Sequence, residues 1–377
     1  MTQVSSRTAH RSVAIYLPDL SGGGAERLHI NLAPAFVAAG YDVTFLLDRR
    51  RGELLERVPA GCSVVSLDTS RQLKAVSALA RYLRETPPGI LVANMEHMNI
   101  MALAARFLAR AQTRIVVTQH NTVSEQAKRP SWQFRVLRPL YAGFLRFADA
   151  VVAVSAGVAD DLARFARMPR QRIEVIYNGV IGTDHAQRAA VEPDHPFFSL
   201  PEPVIVAAGR LTAQKDFATL LRALAEVRSE PAPRLLLLGE GPLRAELQAL
   251  AESLGIAQRL AMPGFAQDPL PAIRSARMLV LSSRFEGFGN VLAEALGCGT
   301  PVVSTDCPHG PAEILAGGRY GRLVPVGDSA AMARAIEAEL AETPDRDALV
   351  ARSAAFSVES CAQAYLTLFE RLSVRTG

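Results

Sequence analysis

The sequence predicts an α/β protein built from two successive parallel-sheet halves. Three observations carry that expectation. Short β-branched or leucine-rich runs alternate with longer helical patterns along most of the 377 residues. The alternation lapses once, between Gly182 and Pro203, where Pro193, Pro196, Pro201 and Pro203 cluster among polar residues. Beyond that lapse a second full series of strand-like runs begins.

In the first series Val13–Leu17 reads as a strand, followed by a glycine-rich turn and a helix from about Ala25 to Ala39. Gly40 stands where a helix C-terminus favours glycine. Val43–Leu47, Val64–Leu67, Ile90–Ala93, Ile115–Thr118, Ala150–Val154 and Ile173–Tyr177 continue it. The second series is Val204–Ala208, Leu235–Leu238, Leu260–Met262, Met278–Leu281, Pro301–Ser304 and Gly321–Val324. The expected organisation is a domain over 1–182, a linker over 183–203 and a domain over 204–357, followed by a last helical segment over 358–377. Two such halves predict a ligand cleft between them, at the carboxyl ends of parallel strands.

Composition excludes several classes. Hydrophobic residues make up 49% and charged residues 21%, which describes a globular chain and not a disordered one. Met1–Arg11 is polar and lacks the apolar stretch of a signal peptide, and no run approaches the roughly 20 apolar residues of a spanning helix. Cys62, Cys298, Cys307 and Cys361 form no CxxC and no zinc spacing, so reduced thiols in a cytoplasmic protein are expected. Charge is uneven: Met1–Ala190 holds 24 Lys and Arg against 15 Asp and Glu, whereas the remainder holds 17 against 22. A basic first half faces something anionic. No nucleic-acid motif accompanies it, so an anionic membrane surface or a phosphorylated acceptor is the better partner.

Three stretches carry chemistry. Gly22, Gly23 and Gly24 follow the first strand and open a helix, where backbone N–H groups meet anions. The loop alone is a weak signal. Arg27 stands where a dinucleotide fingerprint needs glycine, although Asp48 mimics its ribose-binding acid. Gly209, Arg210 and Lys215 follow strand Val204–Ala208, and two fixed cations there would stabilise charge on a leaving diphosphate without a metal. Glu286, Gly287, Phe288, Gly289, Asn290, Val291 and Glu294 follow strand Met278–Leu281. Carboxylates bind sugar hydroxyls well, and free N–H groups at a helix start hold phosphate. The bland alternatives are a cap acid at Glu286 and a solvated helix acid at Glu294; the apolar run Val291–Leu296 argues against the second.

The E-x7-E spacing of Glu286 and Glu294, set in EGFGNVLAEALGCGTPVV, resembles the family-4 retaining glycosyltransferases of the GT-B fold, also known as glycosyl transferases group 1. VSAGV at Val154–Val158, YNGV at Tyr177–Val180, GRLTAQKDF at Gly209–Phe217 and GPAEIL at Gly310–Leu315 extend the resemblance over nearly the whole chain. It implies two facing Rossmann-like domains with a cleft between them, and a final helix, Val358–Ser373, that returns to the N-terminal domain. It further implies that Arg210 and Lys215 hold the donor diphosphate, Glu286 contacts the transferred sugar and Glu294 the ribose. Backbone around Gly287–Asn290 would meet sugar and phosphates, Gly264 and Phe265 the base, and His120 the sugar's reactive face. The implied reaction retains anomeric configuration, a donor phosphate oxygen taking the acceptor proton; a double displacement through Glu286 stays open.

The expected function is transfer of a hexose or N-acetylhexosamine from a UDP-linked nucleotide sugar to a surface glycan or lipid-linked acceptor, with no cofactor and no metal. A nucleotide-sugar epimerase and a non-catalytic nucleotide-sugar-binding module are the alternatives. Asp345-Arg346-Asp347 has the D-x-D form of metal-dependent enzymes but follows no strand, so a helix-start acid cluster is expected. Val154-Ser155-Ala156-Gly157 lacks the first glycine of a nucleophile elbow. Lys128–Phe147 mixes five basic residues with Trp132, Phe134, Leu137, Leu140 and Phe144, as an interfacial segment at the cytoplasmic face of a membrane would.

Overall fold

A computed structural model describes residues 11–69, 72–127, 139 and 141–374. The polar start Met1–His10 and most of the basic–aromatic stretch Lys128–Phe147 lie outside the described residues. The chain forms two units: Met1–Gly179 with Val358–Gly377, and Val180–Ser357.

The first unit is built on a seven-stranded sheet of β1 (Ser12–Leu17), β2 (Asp42–Leu47), β3 (Cys62–Ser66), β4 (Ile90–Asn94), β5 (Arg114–Gln119), β6 (Ala150–Ala153) and β7 (Ile173–Val175). Its order is β3-β2-β1-β4-β5-β6-β7, and every pairing is parallel. β1, β4 and β5 are buried along nearly their whole lengths, which is why they read as continuous apolar runs and not as alternating ones. The helix Gly24–Ala38 covers one face, and the helix Val358–Val374 packs against it. Cys361, Ala362, Tyr365, Leu368, Phe369 and Leu372 repeat at three- and four-residue spacing, so a single stripe of that last helix is buried. Phe369 meets Phe36 edge-on at 5.2 Å and Tyr41 at 5.7 Å.

The second unit carries a six-stranded parallel sheet: β8 (Val204–Ala208), β9 (Arg234–Leu238), β10 (Leu260–Gly264), β11 (Met278–Leu281), β12 (Val302–Thr305) and β13 (Arg322–Val324). The order is β10-β9-β8-β11-β12-β13. Ile205, Ala207, Leu235 and Leu237 face the helices Phe217–Glu226 and Ser329–Ala341, whose Leu220, Leu224, Met332 and Ile336 close this core.

One expectation changes. Residues 183–203 do not hang free between the units but fold into the second one. They hold a helix, His185–Ala189, and a 3₁₀ turn, Pro196–Ser199. Arg188 grips Asp268 through two hydrogen bonds of 2.9 and 3.0 Å, and Arg234 stacks on Phe197 while pairing with Glu202 at 2.7 Å. Pro196 opens that 3₁₀ turn, and Pro203 directly precedes β8.

Phe369→Ala removes an aromatic ring with no solvent exposure from the contact between the last helix and the first. Urea unfolding of this variant should show a loss of about 3–5 kcal/mol in the first unit. A wild-type midpoint would show that the last helix contributes little to it.

Candidate functional site

In the second unit the strand order reverses between β8 and β11. That crevice, at the strands' carboxyl ends, is where doubly wound sheets bind ligands. The loop after β8 carries Gly209, Arg210 and Lys215; the loop after β11 carries Ser283, Glu286, Gly287, Phe288 and Gly289. Backbone and amide bonds tie the loops together: Arg284 N donates to Gln214 O at 2.8 Å, and Gln214 Nε2 to Phe285 O at 3.0 Å. Ser282 Oγ donates to Lys215 O at 2.8 Å.

At the centre Lys215 Nζ lies 2.6 Å from Glu286 Oε1. Ser283 Oγ donates to the same oxygen at 2.6 Å. The Glu286 backbone is held on both sides, its N–H donating to Pro308 O at 2.8 Å and its carbonyl accepting from His309 N at 3.1 Å. Glu286 is buried and Lys215 keeps one-fifth of its side chain exposed, so this is a partly desolvated ion pair. Its attraction, about 4 kcal/mol at 4 Å in an effective dielectric of 20, is largely offset by the cost of removing both charges from water. Burial, reinforced by the Glu286 charge, pushes the nearby Cys307 thiol up to about 12. Arg210 is exposed, and its guanidinium engages no described residue. The two cations therefore differ: Arg210 is exposed, whereas Lys215 is held by a carboxylate.

Two glycines make the crevice possible. Gly239 has φ +148°, and a Cβ there would sit 1.9 Å from Gly209 O. Gly310 has φ +103°, and a Cβ would sit 2.1 Å from Phe288 O. The Phe288 ring is committed to packing edge-on against Phe356 at 5.4 Å, so backbone groups are what Phe288 has to offer a ligand. Gly289, φ +98°, caps the helix Asn290–Gly297, which begins with Asn290 and Val291 and carries Glu294 half-buried in its second turn.

Glu294 looks onto a feature that the sequence did not reveal. The Asp268 carboxylate holds the Arg188 guanidinium above its ordinary range, and the Glu294 charge adds to this. Asp268 also lines a cavity of about 370 Å³, together with Leu236, Leu238, Pro263, Gly264 and an exposed Phe265. His195 and Phe198, from the proline-rich segment, also line it. Arg188 and Asp268 stand 80 residues apart, and no spacing rule joins them.

Gly22–Gly24 and His120 belong to the first unit. The loop is less open to an anion than its glycines imply, because the buried Glu26 carboxylate accepts the Gly23 N–H. Asp48, the dinucleotide mimic, accepts from Tyr16 Oη at 2.8 Å. His120 Nε2 lies 2.9 Å from Asn94 Oδ1, and His29 Nε2 lies 2.7 Å from the same oxygen. Burial pushes His29 down to about 4, and burial with the neighbouring His29 pushes His120 down to about 3. Two motifs set aside above are helix caps: Asp345 Oδ1 accepts from Ala348 N at 3.0 Å, and Ser155 Oγ from Val158 N at 3.2 Å. Among the described residues no three His, Cys, Asp or Glu side chains gather as a metal set.

Two outcomes follow from this geometry. Gly310→Ala should cost at least about 1–3 kcal/mol in urea unfolding, and unchanged stability would mean that the 311–314 turn shifts freely. Secondly, an unfolded histidine binds protons below about pH 6.5, whereas folded His29 and His120 refuse them until about 4 and 3. The unfolded state binds more protons in that window, so stability falls as pH drops through it. Urea midpoints at pH 7 and 5 should differ in that direction, and less so in His29→Gln.

Models of known families match both units: "Glycosyltransferase Family 4" over residues 22–181 and "Glycosyl transferases group 1" over 202–342. A 4-alpha-N-acetylgalactosaminyltransferase of Campylobacter jejuni, named for its diphospho-undecaprenol-linked acceptor, is 26% identical over 90% of this chain and 92% of its own. The lipopolysaccharide core biosynthesis glycosyltransferase LpsE of Rhizobium meliloti is 29% identical over 92% and 95%. Among solved structures, Anabaena HepE in complex with UDP and glucose superposes with a TM-score of 0.80 at 22% identity, over 96% of this chain and all of that one. The apo galactosyltransferase WaaB of the lipopolysaccharide outer core gives 0.73 at 20%, over 96% and 99%. Two doubly wound sheets, a cation–carboxylate crevice at the second switch point and two family models over both halves lead to one assignment: the chain is a glycosyltransferase of the GT-B fold and belongs to family 4, the glycosyl transferases group 1.

Proposed function

We propose that the protein transfers a hexose or N-acetylhexosamine, with retention, from a UDP-linked donor to a surface-glycan or lipid-linked acceptor. The Lys215–Glu286 pair beside the unpaired Arg210 carries this reading. In the resting protein Lys215 neutralises Glu286. A donor diphosphate offers Lys215 a doubly charged partner next to Arg210. The ammonium then moves from carboxylate to phosphate, and Glu286 Oε1 is released to accept sugar hydroxyls while Ser283 still holds it in place. As the glycosidic bond breaks, negative charge grows on the diphosphate, and two fixed cations stabilise it where water is scarce. The acceptor oxygen attacks on the face that the leaving group departs from, and a phosphate oxygen takes its proton. No metal is required, because Arg210 and Lys215 supply the positive charge.

Glu294 takes the ribose in this scheme, and the cavity beside Gly264 and Phe265 takes the base. UDP is favoured because HepE is solved with UDP and glucose. A lipid-linked or surface-glycan acceptor is favoured by the names of the Campylobacter and Rhizobium relatives. Peripheral attachment to an anionic membrane at the cytoplasmic face is part of the proposal. No helix among the described residues is long and apolar enough to cross a membrane. Phe107 and Phe147 touch at 5.1 Å while 54% and 42% exposed, Leu108 beside them is 58% exposed, and Arg146 lies over Phe147. Exposed apolar tips beside an arginine fit an anionic lipid surface.

Arg210→Ala and Lys215→Ala should each lower kcat about 10²–10³-fold. Proton NMR of the product should show the donor's anomeric configuration, and EDTA should leave the rate unchanged. Inverted product, a free epimer released without acceptor, or undiminished turnover in both variants would refute the scheme. Sedimentation with anionic vesicles should carry the wild type down and leave a Phe107→Ser, Phe147→Ser double variant in solution; equal behaviour of the two would remove the membrane contact.

A further inference from the structure

We propose that Asn94 is a positioning residue that locks His120 as its neutral Nε2–H tautomer, so that Nδ1 accepts a hydrogen bond from a substrate hydroxyl. The inference deepens the reading of the chain as a glycosyltransferase, whose substrates are rich in hydroxyls.

Asn94 ends β4 and is fully buried. Its Nδ2 lies 3.4 Å from both Tyr16 O and Val92 O. Carbonyl oxygens only accept, so the amide's N–H end must face them; the flipped amide would press an oxygen against two carbonyls. That fixes Oδ1 as the atom 2.7 Å from His29 Nε2 and 2.9 Å from His120 Nε2. An amide oxygen only accepts, so both imidazoles donate from Nε2. A neutral ring that donates from Nε2 carries a lone pair on Nδ1.

The two lone pairs have different surroundings. His29 Nδ1 is buried with no partner. His120 is half-buried at the end of β5, and its Nδ1 has no hydrogen-bond partner among the described residues. His29 stands edge-on to His120 at 6.4 Å and to Tyr365 at 6.2 Å, so the donor geometry is braced from behind. Burial disfavours a second proton on either ring, and the neighbouring His29 adds to this at His120. Met95, directly after Asn94, adopts φ +78° and ψ 150°, a conformation costly for a side chain with a Cβ.

The consequence is selective. A phosphate oxygen cannot donate, so it gains nothing from an acceptor nitrogen. His120 therefore meets an O–H group of a sugar and leaves the diphosphate to other residues.

Nitrogen-15 NMR of the imidazoles in ligand-free, histidine-labelled protein tests this, with His120 assigned by its loss in His120→Gln. The expected spectrum at pH 7 has a protonated Nε2 and an unprotonated Nδ1. A protonated Nδ1, or a rapidly exchanging mixture, overturns the assignment. Asn94→Leu should release the tautomer and raise the donor KM more than it lowers kcat. Adding UDP-glucose or UDP-galactose should shift His120 Nδ1 upfield, and UDP alone should not; an equal shift with UDP overturns the hydroxyl contact. Failure of any nucleotide sugar to bind would overturn that contact together with the functional reading, while the ligand-free spectrum judges the tautomer separately.

Discussion

The second unit is organised around one ion pair. Lys215 comes from the loop after β8 and Glu286 from the loop after β11, and their contact at 2.6 Å bridges the point where the sheet reverses its order. Around it the backbone has little freedom: Ser283, Gln214, Pro308 and His309 hold the two loops in register. A buried carboxylate without its lysine would be left as an uncompensated charge, which costs several kcal/mol. The pair thus helps hold the two loops in shape, and in the proposed reaction it is the contact that a donor diphosphate displaces.

The same topology is used twice with different contents. In both units the strand order turns around at the first strand of the series and its neighbour, β1 with β4 and β8 with β11. Among the polar side chains, Lys215 and Glu286 of the second unit follow β8 and β11; in the first unit, Asn94 ends β4, His29 lies on the helix after β1 and His120 follows β5. In the second unit they are cations and a carboxylate, suited to a charged leaving group. In the first they are Asn94, His29 and His120, arranged as neutral hydrogen-bonding groups and kept uncharged by burial. The scaffold sets where chemistry occurs, and the loop residues set what kind.

Sequence and structure agree most closely where a strand is buried on both faces. Val204–Ala208 and Met278–Leu281 begin and end where their apolar runs do. Arg210, Lys215, Glu286 and Glu294 stand out as candidates in the sequence because each follows such a strand at a short, readable distance. What stayed hidden was partnership. Nothing in the spacing pairs Lys215 with Glu286, turns Ser283 toward the same oxygen, or sends Glu26 back to occupy the Gly23 N–H. The prolines of 183–203 were misleading for a related reason: the Arg188–Asp268 contact that anchors the segment joins residues 80 apart. Local pattern reports local structure, and side-chain pairing across loops is a property of the fold.

The central claim is that Lys215 changes partners when donor binds. A crystal structure with an intact, slowly hydrolysed UDP-sugar tests it most directly. The account predicts Lys215 Nζ within hydrogen-bonding distance of a donor phosphate oxygen, with Glu286 Oε1 accepting from a sugar hydroxyl and still bound by Ser283. Donor bound at the crevice with the Lys215–Glu286 contact intact, and with neither residue touching the diphosphate or sugar, would contradict it.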